Sequence, residues 1–303
     1  LELQPFGGRT LRREYYSRNT VSFPNFSRGH DMSLSNDRSV SRRTLLAALG
    51  ATAGFTAVGV GEVAADSGHD HHSGDGDDCP ETTIRPSMVH YDDSIHEVCS
   101  DNHPKTKALQ EAVKTSLTEQ FPTVGSLIDA GYIPYFDFFA DGDWSHWINP
   151  AFIGDDSMVD PERPESVLVD HTWWRPIGVM FMATVDGESQ HTPPTVYEDG
   201  GACAPWHAHV GLPGRYAWWK YQTVYGRDVN VEFPCRTPWM LHVWNYPHPE
   251  STYAHDAPEY RGGPPAADPG FATNVDPNEE AFGPEHLPDV LRSKAEELWG
   301  SSH

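Results

Sequence analysis

Residues 177–187 read IGVMFMATVDG, and the reading of this stretch decides the fold. Ile177 to Val185 is a continuous apolar run with no charge and no polar alternation. Its length and its β-branched and bulky side chains predict a buried strand. Asp186-Gly187 then supplies residues that tolerate positive φ, so the run should end in a hairpin-type turn. Outward from it, Trp239-Met240-Leu241-His242-Val243-Trp244 reads as another apolar strand, and Tyr132 to Phe139 is aromatic and extended. Residues 104–130 predict two helical pieces. Pro104 can open the first, with Ala108, Leu109, Ala112, Val113 and Leu117 at helical spacings, and Pro122 ends it. Val124, Leu127 and Ile128 mark the second, which Gly131 stops. Arg215 to Tyr225 fits a strand or a short helix, residues 247–285 are loop-like in their Pro, Gly and Asp content, and Leu287 to Trp299 is an amphipathic helix. The pattern predicts an α+β fold with a mostly antiparallel sheet, or a partly closed barrel, and flanking helices.

The segment 41–65, SRRTLLAALGATAGFTAVGVGEVAA, carries a twin arginine, a weakly apolar run from Leu45 to Val60 and a small-residue exit at Val63-Ala64-Ala65. Ser41-Arg42-Arg43-x-Leu45-Leu46 resembles the twin-arginine export signal, a receptor-read address rather than an anchor. The run is short of the ~20 apolar residues a membrane span needs and is broken by Gly50, Gly54, Gly59 and Gly61. The expected organisation is a leader or upstream sequence over 1–31, a signal peptide over 32–65, an acidic His- and Gly-rich linker over 66–80 and a single globular domain over 81–303. The mature chain is expected outside the cytoplasm, secreted or at the cell surface, without stable membrane insertion.

Residues 1–65 hold 8 of the 21 Lys and Arg but only 5 of the 44 Asp and Glu, which leaves 13 basic against 39 acidic groups in the remainder. So acidic a chain repels nucleic acid and anionic lipid, and neither is expected as a partner. With Lys105, Lys107, Lys114, Lys220 and Lys294 as its only lysines, the composition reads as salt adaptation of the haloarchaeal kind. Ten Trp, 13 Phe and 12 Tyr supply core material for a folded domain. The four cysteines, Cys79, Cys99, Cys203 and Cys235, all follow the signal, and an even count in an exported chain predicts two disulfides. Proximity in sequence favours Cys79–Cys99 and Cys203–Cys235.

Four segments point to metal chemistry: His146 in SHWINP, Glu165 in DPERPE, His207 and His209 in PWHAH, and His242 in MLHVW. If residues 206–210 are extended, His207 and His209 share one face with Cβ atoms about 7 Å apart, within reach of one ion. His242 is the expected third imidazole, a set that suits zinc, copper or iron. His146 or Glu165 would complete the sphere, and Glu165 is the candidate base beside it. His171, His191, His248 and His255 stand in polar loops and are expected to be structural or at the surface.

Gly201 to His209 fits the opening G-x5-H-x-H of the first cupin motif, which implies a cupin-like β-barrel as an alternative fold; Pro213 and Gly214 stand where that family carries its next ligand. His146-Trp147-Ile148-Asn149-Pro150, Asp160-Pro161-Glu162-Arg163-Pro164-Glu165, Gly178-Val179 and Leu241-His242-Val243-Trp244 together look like the pattern of a family of uncharacterised twin-arginine-exported proteins of bacteria and haloarchaea. That resemblance spans roughly residues 130–255 and implies a shared pocket built on His146, Glu165 and His242. Three functions follow. The first is an exported protein binding one transition-metal ion for sequestration or delivery. The second is a metalloenzyme, hydrolytic or oxygen-dependent, on the same site. The third is a non-catalytic structural or binding module. The sequence has no G-x-S-x-G elbow, H-E-x-x-H helix, P-loop or dinucleotide fingerprint.

Overall fold

The strand read from residues 177–187 lies at the middle of the sheet. The computed structural model describes residues 81–91, 99–140, 142–226, 231–259, 266 and 268–299; the expected leader, signal and linker lie outside them. The strands are β1 (Met88–His90), β2 (Ile133–Pro134), β3 (Trp144–Ile148), β4 (Ser166–Asp170), β5 (Arg175–Met182), β6 (Thr184–Val185), β7 (Glu188–Ser189), β8 (His207–His209) and β9 (Met240–Trp244). The helices are α1 (Pro104–Glu119), α2 (Val124–Asp129), α3 (Pro150–Ile153), α4 (Leu212–Tyr225) and α5 (Asp289–Trp299). Seven strands form one sheet in the order β1-β8-β9-β5-β4-β3-β2, every neighbouring pair antiparallel. The fold is α+β. The sheet does not close on itself, so the cupin-like barrel is not formed.

β5 has β4 on one side and β9 on the other, and seven of its eight residues are buried, as an unbroken apolar run requires. Its register against β4 slips between Leu168 and Val169, opposite Pro176, whose ring nitrogen has no hydrogen to give the ladder. The turn at the end of the run belongs to the small β6–β7 hairpin, where Asp186 (φ 53°) and Gly187 (φ 85°) both take the positive φ of a two-residue turn. Arg215 to Tyr225 proves helical. Pro213 sits in the first turn of α4, and Pro213, Ala217, Trp218 and Tyr221 are buried at helical spacing. Both helical pieces of 104–130 form, α1 with Pro104 in its first turn and α2 with a Thr123–Ser126 capping box. Trp147, Trp174, Trp206 and Trp244 are fully buried in the core. No helix among the described residues is long and apolar enough to cross a membrane.

The expected cysteine pairing is overturned. Cys99 is bonded to Cys203, 104 residues away, with Cα atoms 4.9 Å apart, so neither Cys79–Cys99 nor Cys203–Cys235 exists. The reason is the antiparallel register of β1 on β8. Tyr91 N–H donates to Trp206 O (2.8 Å) beyond the ladder, which sets the end of β1 against the segment that leads from Cys203 into β8. Ser100 N–H donates to Tyr197 Oη (2.7 Å) beside the bridge. Cys235 is disulfide-bonded too, and Cys79 lies outside the described residues.

Candidate metal centre

The sheet register gathers imidazoles on one face. Residues directly opposite across a ladder, and residues two apart along a strand, share a face. His207 pairs with Met240, so His207, His209 and His242 face the same way. Met180 pairs with His242 and with Ser166, and Ile148 pairs with Ser166, which carries the same face to Ile148 and His146. Gly178 lies in the row that joins Trp244 to Leu168 and His146, and a Cβ there would stand 3.0 Å from Trp244 Cε3 and 2.9 Å from Val243 O. Its missing side chain makes room for Trp244 and Leu168, which close over it between the strands that carry His146 and His242.

His207, His209 and His255 each bring one ring nitrogen within 4.8 Å of the others. His207 is 3 % exposed, and its Nε2 is buried without a hydrogen-bond partner. The rings of His207, His209 and His255 pack on one another with centroids 4.9–5.5 Å apart, and His242 stacks on His255 at 5.4 Å. His146 rests on His242, Nε2 to Nε2 at 3.2 Å. Three of the rings are oriented by a partner at Nδ1. Asp137 Oδ2 accepts from His146 Nδ1 (2.7 Å), His255 O accepts from His242 Nδ1 (2.7 Å), and Asp256 Oδ1 accepts from His255 Nδ1 (3.0 Å). These acceptors engage Nδ1 of all three rings and leave Nε2 for the cluster, the arrangement in which a metal-binding imidazole is held. The backbone of His209 is paired in both directions with Thr237 (2.9 and 3.0 Å). Gly214 lies under its ring, where a Cβ would approach His209 Cβ to 2.7 Å.

Burial governs the charge state. Desolvation, with the neighbouring imidazoles adding to it, holds His207 and His242 well below the ordinary imidazole range and His209 at about 3. These rings are neutral near pH 7 and keep the lone pairs a transition ion requires.

His146, His207, His209 and His242 thus meet, and Glu165 does not join them. Glu165 is 1 % exposed, and its Oε2 accepts from Met182 N–H (3.2 Å). Burial holds its carboxyl well above the ordinary range. The DPERPE segment is a turn. Asp160 accepts from Glu162 N–H and Arg163 Nε–H (both 2.9 Å), and Pro164 O accepts from Tyr132 Oη (2.7 Å). In HWINP the tasks divide: His146 enters the cluster, Trp147 the core, and Asn149 caps α3 through Ala151 N–H (3.0 Å).

His255 and Asp137 were not legible as site residues. His255 belongs to a loop that folds back over β9. Thr252 O accepts from Trp244 N–H (3.1 Å), Ala254 O from Trp244 Nε1–H (2.7 Å), and Asp101 Oδ1, in the turn ahead of α1, accepts from Thr252 N–H (2.9 Å). Only the Trp244 indole, which needs a buried acceptor, hinted at such a fold-back. Comparison of the chain with family models, curated proteins and solved structures yields no match.

Proposed function

We propose that this protein is an exported metal-binding protein that holds a transition ion in the His207/His209/His255 cluster, for sequestration or delivery outside the cytoplasm. One observation carries the reading: a buried imidazole nitrogen, His207 Nε2, has no hydrogen-bond partner and faces two further imidazoles. An unsatisfied buried acceptor costs about 1–3 kcal/mol, and coordination relieves it. Three nitrogens on a tetrahedral ion with bonds of about 2.0–2.1 Å stand about 3.3 Å apart, so the triad, whose nitrogens lie within 4.8 Å of one another, closes onto an ion by at most about 1.5 Å. His255 stands on a loop and is the member best able to move. Disulfide-bonded cysteines and the twin-arginine segment support a setting outside the reducing cytoplasm.

A second reading, metal-dependent chemistry, is favoured by the open side of the triad. Three imidazoles leave a four-coordinate ion one free position, and the His255 side chain is 28 % exposed there. Elemental analysis of natively purified protein tests the shared premise. Zinc, copper or iron should be retained stoichiometrically, and a His207→Ala/His209→Ala double variant should lose at least about 100-fold in affinity, beyond what an outer-sphere change costs. Full retention by the double variant would overturn the assignment.

A further inference from the structure

The geometry points to a second metal position beside the triad, formed by His146 and His242, so that the cluster is a dinuclear centre. This rests on reading the cluster as a metal centre at all. The supporting facts are separate from those of the triad. His146 Nδ1 faces the Asp137 carboxylate, which also accepts from His146 N–H (3.1 and 3.3 Å) and is therefore an acceptor on both counts. His242 Nδ1 faces the His255 carbonyl, which has no proton to give. With both Nδ1 atoms committed as donors, both Nε2 lone pairs point at each other across 3.2 Å. Two lone pairs at that distance repel unless a cation lies between them, either a shared proton or a metal ion. Nitrogens bound to one ion by bonds of about 2.0–2.1 Å subtend about 100° at that spacing, close to tetrahedral.

Five imidazoles converge here, more than one four-coordinate ion uses. Their grouping is uneven. His207, His209 and His255 pack on one another, whereas His146 rests on His242 with centroids 5.3 Å apart. Each group also has its own carboxylate behind one ring, Asp256 behind His255 and Asp137 behind His146, which supplies one negative charge toward each cation. His242 connects the two, with its ring 5.1 Å from His207. Such paired cations suit an anionic ligand with two oxygens, a phosphate ester or a carboxylate, held across both.

The test uses the full chain, stripped by chelator and titrated with Zn²⁺, with bound zinc counted after desalting. The wild type should bind two zinc ions and His146→Ala one. Asp137→Asn, which keeps the imidazole but removes the anion behind it, should weaken only one of the two ions, by about 10–100-fold. Circular dichroism of each variant verifies the fold, and Asp137→Asn carries the test if His146→Ala does not fold. One ion in the wild type, or two equally tight ions in Asp137→Asn, overturns the second position and leaves the triad standing. No zinc in the wild type overturns the metal centre itself.

Discussion

The two faces of β3 meet histidine in opposite ways. Ser145 and His146 are neighbours, so their side chains leave the strand on opposite sides. On the Ser145 side stands His171, 5 % exposed, with Nδ1 on Gly142 O (2.8 Å), Nε2 on Ser145 Oγ (2.8 Å) and Phe138 edge-on at 5.3 Å. Both of its ring nitrogens are satisfied by protein, and it works as a buried strut. On the other side His146 spends one nitrogen on Asp137 and leaves the second against His242. Burial is common to both faces. What separates a structural imidazole from a ligand is whether its second nitrogen already has a partner.

The sharpest way to break this contrast is acid. His207, His209 and His242 have folded-state pKa values below their ordinary 6.5, so an unfolded chain takes up protons first as pH falls. The stability that these three rings contribute to the metal-stripped protein should be fully present above about pH 6.5 and fall progressively toward the folded-state value of His209, about 3. Thermal melting across that range should show the fall, and the His207→Ala/His209→Ala variant should show a shallower one. An equal slope in the two proteins would remove these rings as its cause. Next in size, His171→Ala should cost about 2–4 kcal/mol in urea unfolding, because it empties a packed site and strands Ser145 Oγ and Gly142 O. Metal content should stay at the wild-type value; loss of metal would mean the faces are not independent. Smallest is Asp256→Asn. Its side chain is 85 % exposed, so stability should move by no more than about 0.5 kcal/mol, while metal affinity, read by competition with a chromophoric chelator, should fall by about 10–100-fold. An unchanged affinity would show that His255 needs no anion behind it.

Much of the fold was legible because it follows local periodicity. The apolar run of β5, the Pro104 helix start and the amphipathic C-terminal helix each carry their signal in adjacent residues. Arg215 to Tyr225 was ambiguous because aromatic residues suit either element, and Pro213 with the 3.6-residue spacing of Ala217, Trp218 and Tyr221 decided it. Within the site, His207 and His209 were legible as an alternating pair on an extended segment, and His242 through its place in an apolar strand. Glu165 was read as a ligand or base from its polar, proline-rich segment, and its burial was not legible there because Pro164 and Glu165 lead directly into a strand with all five residues buried. His255 and the Cys99–Cys203 bridge share another cause. Both depend on which strands lie side by side, and no window of neighbouring residues contains that fact.

The bridge has a further consequence. Cys203 lies just ahead of His207 and His209, and Cys99 just ahead of Asp101, the residue that anchors the loop bearing His255. One covalent staple therefore ties the arm that presents two imidazoles to the hand that steadies the third. Cutting it leaves the sheet its hydrogen bonds but frees those two arms from their covalent tie, so the meeting of the imidazoles is set by oxidation as well as by folding.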